Sequence, residues 1–217
     1  MNFNSRTVTI LKNFSAVNPS LLFKPGKVLS TISPQKTVIA RATLDEEIPQ
    51  EFAIYDLSRF LGVLSLFEKV DTVDFQEKFL TVQSGNQKVN YFFADKDMII
   101  VPPSKELKLE NPDVSFELPK DTNISKAMGV LQLSEVAVVG DGSVLQLVVL
   151  DTKNPTSDTF KLELGKTDKK FKIVFKDSNL RLIEDSYKVN VYKKGVGHFV
   201  GSLAEYYIAF EAQSSTF

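Results

Sequence analysis

At Asp56 the spacing of apolar residues changes inside one unbroken stretch, FAIYDLSRFLGVLSLF from Phe52 to Phe67, and that change constrains everything around it. Phe52 and Ile54 are two apart, as in a strand; Leu57, Phe60, Leu61 and Leu64 follow at three and four, as in a helix. Asp56 stands at the junction, where a carboxylate can accept from the first free amides of a helix and let a strand pass into it without a loop. At about 100° per residue Leu57, Phe60, Leu61, Leu64 and Phe67 share one arc. Ser58, Arg59, Gly62 and Ser65 share the other, which is small and uncharged except for Arg59.

The same pattern returns late in the chain. Phe171, Ile173 and Phe175 alternate toward Asp177, and Asn179, Leu180, Leu182 and Ile183 follow with helix-like spacing. Self-similarity of this kind predicts a duplicated architecture. The expected class is α+β: two similar β-rich domains, each with two helices. The boundaries fall at residues 1–103 and 114–217, with the polar, proline-bearing run 104–113 as a connector, since Pro102-Pro103 removes amide donors and stops a strand.

Taken in order, Ser5 to Val17 places Val8, Ile10, Leu11 and Phe14 on one side of a helix, and Asn18-Pro19 ends it because the residue before proline is pushed out of the helical region. Strands are expected at 21–24, 28–33, 37–44 and 52–56, then, after the second helix, at 72–76, 79–84, 88–94 and 98–101. In the second half a strand at 114–118 precedes a helix over 121–133. Strands at 135–139, 144–150, 158–164 and 171–175 follow, then a fourth helix near Leu180 and strands at 187–192, 198–203 and 206–212.

Composition excludes more than it selects. With 43% hydrophobic residues the chain can bury an ample core, no run approaches a membrane span, and the residues after Met1 lead into no signal-peptide core. There is no cysteine, hence no disulfide, thiolate nucleophile or cysteine metal site. A cytoplasmic setting is expected. Net charge is −1, which argues against a protein that simply coats DNA. Its distribution is uneven: residues 1–44 hold Arg6, Lys12, Lys24, Lys27, Lys36 and Arg41 and no carboxylate, and the first acid is Asp45.

No catalytic constellation is present in the sequence. His198 is the single histidine and sits in an expected strand, so a structural or surface role outweighs general-base work. Gly140-Asp141-Gly142 and Gly195-Val196-Gly197 read as hairpin turns, because no helix follows either to hold a phosphate. Asp45-Glu46-Glu47 and Asp95-Lys96-Asp97 lack ligand spacing and read as solvated loop charge. No enzyme, metal or cofactor is expected.

Particular words of the sequence point further. Leu11-Lys12-Asn13-Phe14 with Val17-Asn18, Phe52-Ala53-Ile54-Tyr55-Asp56-Leu57 with Phe60-Leu61-Gly62-Val63-Leu64-Ser65-Leu66, and Tyr207-Ile208-Ala209-Phe210-Glu211-Ala212 resemble the replication sliding clamps of T-even-like bacteriophages. The order of elements agrees over nearly the whole chain, while 113–176 carries few family-specific words. The resemblance implies the DNA-clamp fold, a closed ring of three subunits with helices toward a central hole, and no catalytic activity. It further implies double-stranded DNA held without regard to sequence, a DNA polymerase tethered to it, an ATP-driven clamp loader, and transcription proteins as candidate partners. The cytoplasm of an infected bacterium is the implied setting. The competing reading is a structural or virion protein built from a duplicated β-rich domain, which would have no need of basic helix faces at repeat-related positions.

A ring that slides needs positive charge spread over helix faces and few contacts to base edges. On that logic the DNA-facing candidates are Arg6 and Lys12 on the first helix, Arg59 on the second, Lys120 and Lys126 on the third and Arg181 on the fourth. Subunits of such rings join by edge strands, for which the candidates are Tyr91, Phe92 and Phe93 in one domain and Phe160 and Leu162 in the other. Clamp partners dock tail peptides in an apolar pocket near the connector. Leu107, Leu109, Ile208 and Phe210 are placed there by position.

Overall fold

Through the first half the backbone runs α1 (Ser5–Val17), β1 (Leu21–Phe23), β2 (Gly26–Ile32), β3 (Val38–Ile48), β4 (Phe52–Ile54), α2 (Leu57–Leu64), β5 (Thr72–Phe75), β6 (Phe79–Ser84) and β7 (Gln87–Phe92). The computed structural model describes residues 1–105 and 107–217, and the chain divides into two units, Met1–Glu106 and Leu107–Phe217. In the first unit β1 pairs with β4, β2 with β3, and β5, β6 and β7 form a meander with β7 at its edge.

Helix α1 spans the predicted residues because both ends are fixed. Asn4 caps it by accepting from the Thr7 amide at 2.8 Å, and Asn18 ends it. The Asn18 side chain donates to the carbonyls of Ile32 (2.8 Å) and Ile100 (3.2 Å) and accepts from the Ser20 amide. The first turn of α1 has no acid of its own. Strand β3 supplies two: Glu46 accepts from the Asn4 amide and the Thr7 hydroxyl, and Asp45 accepts from Arg6 and the Asn4 side chain. Asp45 and Glu46, read from sequence as solvated loop charge, therefore neutralise the positive end of a helix, where carboxylates are stabilising.

The strand-to-helix junction forms as its spacing predicts, with Asp56 accepting from the Arg59 amide at 2.9 Å. Helix α2 stops at Leu64, short of Phe67, because the Ser65 hydroxyl and amide close on the Gly62 and Leu61 carbonyls. The two helices pack on each other, with Ile10, Leu11, Phe14, Leu57 and Phe60 wholly buried. Aromatic rings continue the core: Phe52 stacks between Phe23 (4.4 Å between centroids) and Phe93 (4.9 Å). The strand expected at 98–101 is absent. A 3-10 turn, Lys96–Met98, takes its start, because Asp95 accepts from the Asp97 amide and turns the chain there.

The second unit runs β8 (Val114–Leu118), α3 (Ile124–Leu131), β9 (Glu135–Asp141), β10 (Val144–Leu150), β11 (Phe160–Lys166), β12 (Lys170–Lys176), β13 (Tyr187–Tyr192), β14 (Val196–Val200) and β15 (Glu205–Ala209). Strands order as β11-β10-β9-β12 and as β15-β14-β13-β8. The expected hairpin turns are present, with Gly142 (φ +94°) and Gly195 (φ +99°) in conformations that favour glycine.

Two helix expectations change here. Helix α3 is shorter than 121–133, bounded by Asn123 and Gln132, both left-handed at φ 54°. The fourth helix is a single 3-10 turn, Asp177–Asn179, followed by coil to Asp185. Asp177, Ser178 and Asn179 carry side chains that compete for backbone groups and favour turns over helix interiors, and Leu180 leaves the helical region at ψ 46°. Two tyrosines hold the coil instead: the Tyr187 hydroxyl donates to the Ile183 carbonyl, and the Ile183 amide donates to Tyr206 at 3.2 Å. Burial pushes both phenols up, Tyr206 to about 12.

Candidate functional site

The six nominated cations fall into two groups. Lys12 on α1, Arg59 on α2 and Lys126 on α3 are exposed on helix faces, as expected. Around them Ser58, Gly62, Ser125 and Gly129 are small and exposed, and Val130 is 73% exposed on α3. Arg6 differs: its guanidinium donates to Asp45 at 2.8 Å and to the Thr43 carbonyl at 3.0 Å, so its charge is spent on the end of β3. Lys120 lies in the loop before α3 rather than on it, 3.8 Å from the Glu184 carboxylate. Arg181 is exposed but follows the 3-10 turn, so no helix carries it. Cations on helix faces with small neighbours can meet phosphates, which supply sequence-independent and salt-sensitive affinity.

The nominated aromatic strand alternates in the way its rings face. Phe92 is 67% exposed and packs on Phe79 at 5.2 Å, outside the sheet. Tyr91 and Phe93 point into their own unit. Tyr91 meets Phe60 edge-on at 5.2 Å and donates to the Asp56 carbonyl at 3.2 Å; burial first, then the Asp56 charge, raises its phenol above the usual range. Phe93 stacks on Phe52. Of the three, only Phe92 offers its ring to another surface, because successive strand residues face opposite ways.

On the other nominated strand, Phe160 and Leu162 pair with Val149 and Leu147 of β10 and share their face, which is the packed one. Both are half-buried, at the edge position of their sheet, while Lys161 and Glu163 are exposed. The two nominated strands are thus both sheet edges within their units.

The four pocket candidates do not act alike. Leu107 is exposed and Leu109 half-buried, but Ile208 is 0% exposed inside β15 and cannot border an open pocket. Phe210 is half-buried between Phe175 (6.1 Å) and Phe217 (5.9 Å). The sequence reading missed Phe217, which lies beyond β15 after a 3-10 turn, where no periodic pattern marks it. His198 stacks on Tyr207 at 4.2 Å with its Nε2 2.9 Å from Glu205, a packed pair on the sheet. Among the described residues no group of three metal-ligating side chains converges, and no helix is long and apolar enough to cross a membrane.

Solved structures show the class of fold. PCNA from Thermococcus kodakaraensis superposes with a TM-score of 0.69 at 16% identity, covering 96% of this chain and 98% of that one. A. fulgidus PCNA, solved with the C-terminal region of FEN-1 bound, gives 0.65 at 16% identity with 94% of each chain covered. The fold is that of a DNA clamp.

Sequence relatives then narrow it. Residues 4–101 match the family described as DNA polymerase processivity factor, and residues 119–212 match the gp45 sliding clamp, C terminal. The sliding clamp of Vibrio phage KVP40 is 31% identical over 98% of this chain and 100% of its own length; those of Escherichia phage RB69 and Enterobacteria phage T4 are 28% and 26% identical, with 99% of each chain covered. The chain belongs to the sliding-clamp family of T4-like phages. It is a DNA polymerase processivity factor and not an enzyme, and the virion-protein reading is set aside.

Proposed function

We propose that three copies of this chain close into a ring around duplex DNA, opened by an ATP-driven loader, in the cytoplasm of an infected bacterium. The observation that carries this reading is the full-length likeness to phage sliding clamps. Exposed Lys12, Arg59 and Lys126 on three separate helices support it, since a sliding ring needs diffuse charge toward phosphate and no grip on base edges. Residues 104–113 act as connector between domains 1–103 and 114–217. The edges β7 and β11 are the proposed subunit joint, with Phe92 as its aromatic contact. Partners, the polymerase and transcription proteins among them, dock tail peptides near Leu107, Leu109 and Phe210; a bound peptide region is what A. fulgidus PCNA carries.

Loader-dependent retention on a nicked circle and on the same DNA cut once is the test. Retention on the circle with loss from the linear form is the expected result, and equal retention on both would replace encirclement with direct binding. The triple change Lys12→Ala, Arg59→Ala and Lys126→Ala should weaken loading while sedimentation still shows a trimer. Arg6 is left out of that set because its charge is already paired with Asp45. Phe92→Asp should shift the trimer toward monomer at micromolar concentration, since an unpaired charge in a buried contact is costly.

A further inference from the structure

Beneath α3 lies a cavity of about 200 Å³, entirely within the second unit. Phe116 and Tyr187 from the β8 and β13 side, Val138, Leu147 and Phe175 from the other sheet and Met128 from the helix form its apolar wall. Its outer side is the coil 180–185, the segment whose sequence predicted a fourth helix. In the first unit the second helix packs on the first and leaves Phe60 wholly buried. Here a 3-10 turn and coil take the place of a helix, and space remains where side chains would have met. Exposed Lys120, Ser125 and Glu184 mark the mouth.

The polar atoms around this cavity already have partners. The Tyr187 hydroxyl is bound to the Ile183 carbonyl, Tyr206 receives the Ile183 amide, and the Asp185 carboxylate accepts from the Ser202 amide and hydroxyl and the Ser186 amide. Among the described residues no buried side-chain nitrogen or oxygen lacks a hydrogen bond. An ordered water needs about two to four polar partners, and an apolar cavity of about 150 Å³ lined by Leu, Ile and Phe stays dry and takes benzene. The inner wall of this space offers no free buried side-chain hydrogen-bonding group, while Lys120, Ser125 and Glu184 make its mouth polar, so its depth favours an apolar occupant over water.

We propose that the cavity under α3 is a binding site for a small single- or fused-ring aromatic molecule, of benzene to indole size, entering between Ser125 and Glu184. The ligand would bury its rings against Phe116, Met128 and Leu147 and would need no charged group. The mouth borders the face of α3 that carries Lys126, but the apolar wall lies beneath the helix, and the proposal stands or falls independently of ring formation.

The chain contains no tryptophan, so indole emission can be followed without background from the protein's own indole. Indole added to the full chain should show blue-shifted, quencher-protected emission. At about five times its Kd it should raise Tm by about 2–4 °C. Ser125→Trp places an indole at the mouth from an exposed position; its own emission should be blue-shifted and added benzene should no longer raise Tm. Leu147→Phe narrows the cavity from the sheet side and should weaken indole at least tenfold, which keeps the test available should Ser125→Trp fold poorly. No emission shift and no change in Tm with the unaltered chain up to the solubility of indole would overturn the site. So would indole affinity in Leu147→Phe within twofold of the parent, because the ligand would then lie elsewhere.

Discussion

In the first unit two helices lie on each other with Ile10, Leu11, Phe14, Leu57 and Phe60 wholly buried, whereas in the second a single eight-residue helix spans a cavity with Met128 as its one buried residue. The ends differ in the same direction. Asn4 and Asp56 cap α1 and α2 through side-chain hydrogen bonds, and Glu46 reinforces the first. Asn123 makes no such bond, and α3 enters and leaves through left-handed residues. Isolated short helices are marginal in water, so α3 draws its stability from packing, and packing is what the cavity takes away. A duplicated fold can thus keep its order of elements while one copy loses helix, caps and core contacts together.

The largest contrast to test is between the two helix anchors. Phe60 meets Phe3 at 6.1 Å and Tyr91 at 5.2 Å, so Phe60→Ala should cost about 3–5 kcal/mol. Met128 already borders open space, and Met128→Ala should fall at or below the low end of the ~2–5 kcal/mol seen for such truncations. Urea denaturation of both variants checks it. Comparable losses would mean that α3 is anchored as firmly as α2.

A second difference appears at alkaline pH. Burial pushes the Tyr206 phenol from the ordinary 10.0 up to about 12 in the fold, and Tyr187 is raised further by the same cause. A raised folded pKa means that the contribution is complete below about 10 and is lost as pH climbs through the folded value. A rise of this size is worth about 2–3 kcal/mol from Tyr206. The second unit should therefore lose protection from hydrogen exchange between those values, in the coil at Ile183 first. Tyr206→Phe gives up the hydrogen bonds of its hydroxyl with the Ile183 amide and Tyr187 at neutral pH and should flatten the alkaline decline; an unchanged slope would place the titration elsewhere.

How much of this could be read from residues depended on whether a local signal decided the outcome. Asn18-Pro19 fixes the end of α1, and Asp56 fixes the start of α2 whatever surrounds them, so both were legible. The run Asn179-Leu180-Leu182-Ile183 has helical spacing, but Tyr206 reaches back from β15, 23 residues on, to hold Ile183 together with the nearby Tyr187, and a local window of sequence contains no sign of the remote partner. Tyr91-Phe92-Phe93 shows the same limit at the candidate joint. Three aromatics in a row look alike until Phe60 and Phe52 claim the first and third and leave Phe92 outside. Arg6 was placed on the right helix, yet its pairing with Asp45 joins residues far apart in sequence. Charge on a helix face is legible; its compensation by another strand is not.

Capping offers a finer comparison. Asp56→Ala removes the acceptor for the Arg59 amide and should cost about 1 kcal/mol of first-unit stability. Asn123→Gly removes no capping bond and suits a left-handed position, so the second unit should change by no more than about 0.5 kcal/mol. Differential melting of the two variants separates them, and equal losses would mean that Asn123 caps α3 after all.

The smallest effect expected is a gain, at the other end of α3. Gln132 sits at φ 54° and ψ 39°, with its amide bonded to the Met128 carbonyl, so the position demands a left-handed residue and carries a Cβ that disfavours it. Glycine relieves that penalty, and its greater freedom in the unfolded chain takes back part of the relief. The balance should leave Gln132→Gly more stable by about 0.5 kcal/mol. The backbone bond to Met128 is kept, so the gain should appear as slower hydrogen exchange at Met128 through Leu131 with α1 and α2 unchanged. A loss of stability would show that the Gln132 side chain holds the end of α3 by contacts worth more than the strain. The contrast between two well-anchored helices and one loosely held helix would then narrow to the cavity alone.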